Sequence, residues 1–231
     1  MTGRPVVVFD LDSTLLPALL LPGAEDALLS VRQAGGQTLV VTSKISADAR
    51  LHLDHLQLPV DVVVGDLSGE AKASALHEYR ATVYVGDHAL DMAGARAANV
   101  TAVGVTSGPC SAEELTTAGA DVVLSDLTQF REWFGDHLLQ QRLAALERCL
   151  RELGSVLVAF SAGADSALLV AAAVHTLGAT NVAAVTAVSS SLPAAELAAA
   201  ESFCASLGVR HLTAQTHELD RAGYRANAGD R

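Results

Sequence analysis

Four short stretches of this chain hold residue types that can act on a phosphoryl group. The first is FDLDSTLL at 9–16, where a hydrophobic run ends in Asp10-Leu11-Asp12. Alternate residues of an extended chain face the same way, so both carboxylates emerge on one side. Phosphoryl transfer through a carboxylate needs such a pair, one ionised to attack phosphorus and one to protonate the leaving oxygen. A divalent cation goes with it, because an anion attacking an anion is electrostatically unfavourable. Alone, the segment also reads as a strand end with a turn or helix cap.

Three more stretches follow in order. VVTS at 40–43 ends a strand with Thr42, whose hydroxyl could hold a phosphate oxygen. Lys72 offers a compact positive charge between the third and fourth strands. VGDHALD at 85–91 ends another strand in Asp87, with Asp91 one helical turn on, a second acidic pair suited to Mg²⁺. Each has an ordinary structural role by itself: a helix cap, a solvated charge, an exposed helix residue. The order of all four, three of them at strand ends, points to one site.

Alternating hydrophobic runs and helical patterns supply the elements that would position them. Strands are expected at 5–9, 37–42, 60–64, 82–85, 101–105 and 121–124. Helices are expected at 23–34, 47–55, 70–78, 90–97 and 112–118. This alternation predicts an α/β fold, a Rossmann-like doubly wound parallel sheet with ligands at the carboxyl ends of its strands. Hydrophobic residues make up 50% of the chain and aromatic ones only 4%, which suits Ala-, Val- and Leu-built strands covered by Ala-rich helices.

The net charge of -11 argues against nucleic acid as a partner and suits carboxylates gathered round a cation. Cys110, Cys149 and Cys204 are scattered without metal-ligand spacing and read as reduced thiols of a cytoplasmic protein. No segment reads as a signal peptide or a membrane span. His52 and His55 share a helix face without a third ligand, which fits a solvated face better than a metal site. Only two of the 15 basic residues are lysines, Lys44 and Lys72, and both fall near the four stretches.

Together these residues closely resemble the haloacid dehalogenase (HAD) superfamily, over about the first 135 residues. Its four motifs are matched by Asp10-Leu11-Asp12-Ser13-Thr14, Thr42, Lys72, and Gly86-Asp87 with Asp91. The segment at 104–130 is similar to the end of its phosphoglycolate-phosphatase-like branch. The resemblance implies Asp10 as nucleophile and Asp12 as general acid and base. Thr42 and Lys72 would bind the phosphoryl group. Mg²⁺ would be held by Asp10, the main-chain carbonyl of Asp12 and Asp87, with Asp91 in support. The gaps of about 30 residues on either side of Thr42 are too short for the cap domain of many relatives, so a minimal cap and an open site are expected.

A second unit is expected after a leucine-spaced helix at 127–153, giving domains at 1–135 and 154–231 with 136–153 as the connection. Strands at 155–160, 181–186 and 209–214 alternate with helices at 165–177 and 193–207, and the tail at 217–231 reads as a loop. The turn Ser161-Ala162-Gly163-Ala164-Asp165-Ser166 between a strand and a helix could offer backbone N–H groups to an anion. It resembles the pyrophosphate loop (PP-loop) of ATP-pyrophosphatases, adenine nucleotide alpha hydrolase-like proteins, and in particular ATP-dependent sacrificial sulfur transferases. By that resemblance Ser161, Gly163, Asp165 and Ser166 would cradle the phosphates of ATP, with Ala162 in place of the usual first glycine. Such proteins continue into a substrate-binding half, so this unit is expected to be partial, without full sulfur-transferase activity.

The expected function is Mg²⁺-dependent hydrolysis of a small phosphate monoester through an aspartyl-phosphate. One rival is an ATP-dependent adenylylating or sulfur-transferring enzyme with an auxiliary first domain. Another is a non-catalytic binding protein. Homo-oligomerisation and the identity of the ester stay open.

Overall fold

The structure is a computed structural model that describes residues 3–16, 20–69, 71–189 and 192–216. Glu70 and the tail at 217–231, including Tyr224, lie outside the described residues. The chain divides into two compact units, Met1–Leu139 and Gln140–Arg231.

In the first unit, strands and helices alternate. They run β1 Val6–Phe9, α1 Ala24–Gln33, β2 Gln37–Val41, α2 Ser46–His55, β3 Val62–Val64, α3 Ala71–Glu78, β4 Val83–Gly86, α4 Ala89–Ala97, β5 Thr101–Val105, α5 Ala112–Ala118 and β6 Val122–Leu124. The sheet has the order β3-β2-β1-β4-β5-β6, and every pair is parallel. Chain order therefore reverses between β1 and β4. That switch point opens a crevice beyond the carboxyl ends of the two strands, where ligands of such sheets bind.

Both faces of the sheet are covered, as a parallel sheet requires. Val7 and Phe9 of β1, with Val83 and Val85 of β4, pack with Ala27, Leu28 and Val31 of α1 and Leu53 of α2. Val6, Val8 and Tyr84 face the other way, onto Leu76 of α3, Met92 of α4 and Leu115 of α5. The valine runs suit this double burial, since branched side chains pack well on a pleated surface. Gly23, at the N-terminal cap of α1, has φ of +81°, and a Cβ there would come within 2.3 Å of the Thr128 backbone nitrogen. Only glycine fits that approach.

A single helix, α6, runs over Phe130–Leu153. Its first turns bring Phe130 and Phe134 into the first unit's core, their rings stacked at 5.3 Å. Leu150 near its other end belongs to the second unit's core. The second unit continues with β7 Val156–Ala159, α7 Ala164–Leu177, β8 Val182–Val188, α8 Ala194–Ser206 and β9 Arg210–Gln215. Its sheet is parallel, in the order β7-β8-β9. Val158, Val182 and Ala184 pack under α7 and α8. On the opposite face Leu157, Ala159, Ala187 and Leu212 are exposed. Among the described residues no helix is long and apolar enough to cross a membrane.

Candidate active site

Two neighbouring strands deliver the acidic residues. β1 ends at Phe9, and the Asp10 N–H still bonds to the Val85 carbonyl at 2.8 Å, which locks Asp10 beside the end of β4. Leu11 turns into the core and is fully buried. The loop then folds back, with the Leu15 and Leu16 amides donating to the Leu11 carbonyl at 3.0 and 2.9 Å. Ser13 takes φ of +54° there, and its carbonyl accepts a 2.6 Å bond from the Ser107 hydroxyl. β4 ends in Gly86 and is followed by Asp87, and α4 begins after His88, whose Nδ1 caps the Leu90 N–H at 3.1 Å. Asp91 lies in the first turn of α4, where the helix dipole favours a carboxylate.

Asp10, Asp87 and Asp91 are all buried, and each offers an oxygen within 4.8 Å of the others'. Lys72, buried in the first turn of α3, joins two of them. Its Nζ donates to Asp10 Oδ1 at 2.6 Å and to Asp91 Oδ1 at 2.7 Å. Thr14 donates to Asp87 Oδ1 at 3.1 Å, and the Tyr84 hydroxyl donates to Asp91 Oδ1 at 2.8 Å. Asp12 is more open, with its side chain 43% exposed, and it forms an ion pair with Lys44. These groups surround a cleft of about 310 Å³, lined among others by Asp10, Asp12, Lys72, Asp87 and Asp91.

Thr42 is fully buried, and its Oγ1 accepts the Lys44 N–H at 3.2 Å. Ser43, rather than Thr42, lines the cleft wall. His52 and His55 are exposed on α2, as expected of a solvated face. Sequence reasoning missed Tyr84 and Gly108. A Cβ at Gly108 would come within 1.7 Å of Asp87 Oδ2, so this loop reaches the carboxylate only as glycine. Gly86 plays the same part beneath Asp91, where a Cβ would meet Asp91 Oδ2 at 2.6 Å.

The charges are out of balance, since three carboxylates face one ammonium. Asp10 is pushed up to about 7, by burial first and then by the Asp91 charge, against the pull of Lys72. Burial raises Asp87 as well. Burial opposes the charge on Lys72, but the Asp10 and Asp91 carboxylates outweigh it and raise Lys72 further. A divalent cation suits this donor set, which is all hard oxygen and carries the charge left uncompensated by Lys72. A carboxylate has about four acceptor positions, so the bonds from Lys72, Thr14 and Tyr84 leave each one capacity for a metal.

Residues 62–130 match the family described as "HAD-hyrolase-like". A haloacid dehalogenase-like family hydrolase from Streptococcus pneumoniae superposes with a TM-score of 0.50 at 16% identity, covering 58% of this chain and 100% of the other. A protein described as a phosphatase from Clostridium difficile gives 0.50 at 15% identity, covering 57% and 99%. The first unit has the HAD-like fold. A protein described as a β-phosphoglucomutase from Thermotoga maritima has it too, with a TM-score of 0.50 at 16% identity over 57% of this chain and 99% of the other. No curated protein matches. The described residues between successive strands of this HAD-like sheet form single helices and loops, without an inserted cap domain.

In the second unit, Ser161 and Gly163 occupy the turn between β7 and α7, and Asp165 and Ser166 the first turn of α7. The Ser161 and Ser166 hydroxyls lie 3.3 Å apart, and Ser166 donates to the Gly163 carbonyl at 3.0 Å. Ala162 takes φ of +58°, a left-handed conformation that favours glycine. Asp165 is exposed in the first turn of α7. Ser161 borders a cleft of about 420 Å³ that Phe160, Thr186 and Glu196 also line.

The Asp10 shift sets a pH dependence. An unfolded Asp ionises near pH 4, whereas folded, metal-free Asp10 does so near 7. Its contribution to stability is thus fully present below about pH 4 and is lost as pH rises through about 7. A divalent cation held by these carboxylates would bind their charged forms, so the rise in melting temperature on adding Mg²⁺ should be larger at about pH 8 than at about pH 5. Mg²⁺ at about 100 times its dissociation constant should add about 2.7 kcal/mol at the higher pH. A thermal-shift series over pH measures this, and an equal or absent Mg²⁺ effect at both ends contradicts the metal assignment.

Proposed function

We propose that the first unit is a Mg²⁺-dependent phosphatase for small phosphate monoesters, working through an aspartyl-phosphate on Asp10. The observation that carries this reading is the Lys72 ammonium held between Asp10 and Asp91 within a buried carboxylate cluster. It lies where the parallel sheet reverses its strand order. The matches to a HAD-like hydrolase family and to proteins described as phosphatases support the same reading.

In the proposed reaction an Asp10 oxygen attacks phosphorus and the bond from phosphorus to the leaving oxygen breaks. Asp12 gives its proton to that oxygen. Its side chain, 43% exposed in the cleft, can reach the leaving group, and it acts in the protonated form, released from the ion pair that its carboxylate makes with Lys44. Asp12 then takes a proton from water, which attacks the phosphorus, frees inorganic phosphate and restores Asp10. Lys72 steadies the nucleophile and offers its third N–H to the phosphoryl group. Thr42 is the proposed partner of Lys72 in phosphoryl binding: its Oγ1 accepts the Lys44 amide, which leaves its own proton to donate. Asp10, Asp87, Asp91 and the Asp12 main-chain carbonyl would hold Mg²⁺, which would neutralise phosphoryl charge as the anionic nucleophile approaches.

The second unit supports a further, separate reading as a site for the phosphates of ATP. The turn from Ser161 to Ser166 ends β7, opens α7 and borders the 420 Å³ cleft. Backbone N–H groups at a helix start attract anions.

Phosphate release from a broad panel of phosphomonoesters tests the phosphatase reading. Turnover should require Mg²⁺ and fall by about a thousandfold or more in Asp10→Asn. Activity that survives Asp10→Asn contradicts it. For the second unit, calorimetry should detect ATP binding that weakens by about a hundredfold in Ser161→Ala/Ser166→Ala, each hydroxyl contributing a charge-assisted bond. Wild-type protein that binds no ATP rules that site out.

A further inference from the structure

Tyr84 has no part in the reaction above, yet it touches two of the groups that do. Alternation along β4 puts Tyr84 and Gly86 on the sheet face covered by α3 and α4. Tyr84 is fully buried. Packing alone would be met by phenylalanine or leucine, and a buried phenol needs a hydrogen-bond partner. That partner is Asp91, whose Oδ1 accepts the Tyr84 hydroxyl at 2.8 Å. The same oxygen accepts Lys72 Nζ at 2.7 Å, and Nζ also reaches Asp10 Oδ1 at 2.6 Å. The ammonium lies 5.7 Å from the centre of the Tyr84 ring, within range of a cation–π attraction.

Tyr84 thus contacts both members of the Lys72–Asp91 pair, one through its hydroxyl and the other through its ring. Gly86, one step along the same strand face, leaves room for the Asp91 carboxylate and would clash with it if it carried a Cβ. β4 therefore boxes Asp91 between a donor and a gap. Burial, and then the Asp91 charge, hold the phenol well above its ordinary value, so it stays a donor. Lysine side chains are long and rotate freely, so a lysine joined to two carboxylates depends on at least one of them being fixed.

We infer that Tyr84 is a positioning residue of this site, holding Asp91 and Lys72 in the arrangement in which the ammonium also reaches Asp10. The inference rests on the proposed roles of Asp10 and Lys72, but it can be tested apart from turnover. Lys44 and Lys72 are the chain's only lysines, so lysine labelled with ¹⁵N at Nζ gives two ammonium signals. Tyr84→Phe keeps the ring and removes the hydroxyl.

In metal-free Tyr84→Phe the Lys72 signal should move and its protons should exchange with water about tenfold faster, while Lys44 stays unchanged. The Mg²⁺ dissociation constant from calorimetry should rise by about tenfold, as loss of an outer hydrogen bond to a metal ligand commonly causes. For any ester turned over, kcat should fall by a similar factor at unchanged KM. An unmoved Lys72 signal with unchanged Mg²⁺ affinity, and only a lower melting temperature, makes Tyr84 a packing residue and overturns the inference. If wild-type protein hydrolyses no ester while Tyr84→Phe still shifts both readouts, the phosphatase reading fails and the positioning role stands. Should Tyr84→Phe not fold, protein made with 3-fluorotyrosine, a stronger donor of similar size, serves instead. A Lys72 signal indifferent to fluorination then overturns the inference.

Discussion

Burying three carboxylates within 4.8 Å of one another, with one ammonium among them, is the constraint on which the first unit is organised. Like charges that close in a low dielectric cannot all stay ionised without compensation. Lys72 supplies part of it, yet burial first and then the Asp91 charge still raise Asp10 to about 7. A site of this kind is poised to take up cationic charge and to hand a carboxylate to an electrophile that brings its own negative charge. The same groups would be a burden to a protein whose only task was to stay folded, since a buried ion pair is weak grounds for stability.

The fold meets that constraint through backbone placement. The reversal of strand order sets the ends of β1 and β4 side by side, and the Asp10–Val85 backbone bond ties them at 2.8 Å. α4 starts right after Asp87, so Asp91 returns over the strand end one turn later, resting on Gly86. The 106–110 loop closes on Asp87 through Gly108 and on the Ser13 carbonyl through Ser107. Two glycines and one short serine bridge thus decide how near the carboxylates can come. The sheet itself is rigid because hydrophobic side chains fill both of its faces.

Much of this was legible in the sequence, because the signals are local. Valine runs broken by short polar turns mark the strands, and acidic residues at their carboxyl ends mark the cleft. The expected strand at 101–105 and helix at 112–118 are those observed, and no other element boundary differs by more than three residues. What could not be read depends on contacts across the chain. Alternation along β4 tells that Tyr84 faces α3 and α4, but not that its hydroxyl meets a carboxylate seven residues later. Gly108 follows a strand end like many other glycines, and only the approach of Asp87 distinguishes it. The ion pair of Asp12 with Lys44 joins two loops about 30 residues apart, beyond any local rule.

The proposed covalent step can be observed directly. Acid quenching of the protein during turnover of a ³²P-labelled ester, followed by digestion and mass spectrometry, reports which side chain carries phosphorus. An Asp12→Asn variant, slowed in hydrolysing the intermediate, should accumulate it. An acid-stable, base-labile phosphoryl group on Asp10 is the expected result. Turnover that leaves phosphorus on another residue, or on none under conditions where an added aspartyl-phosphate standard survives, contradicts it.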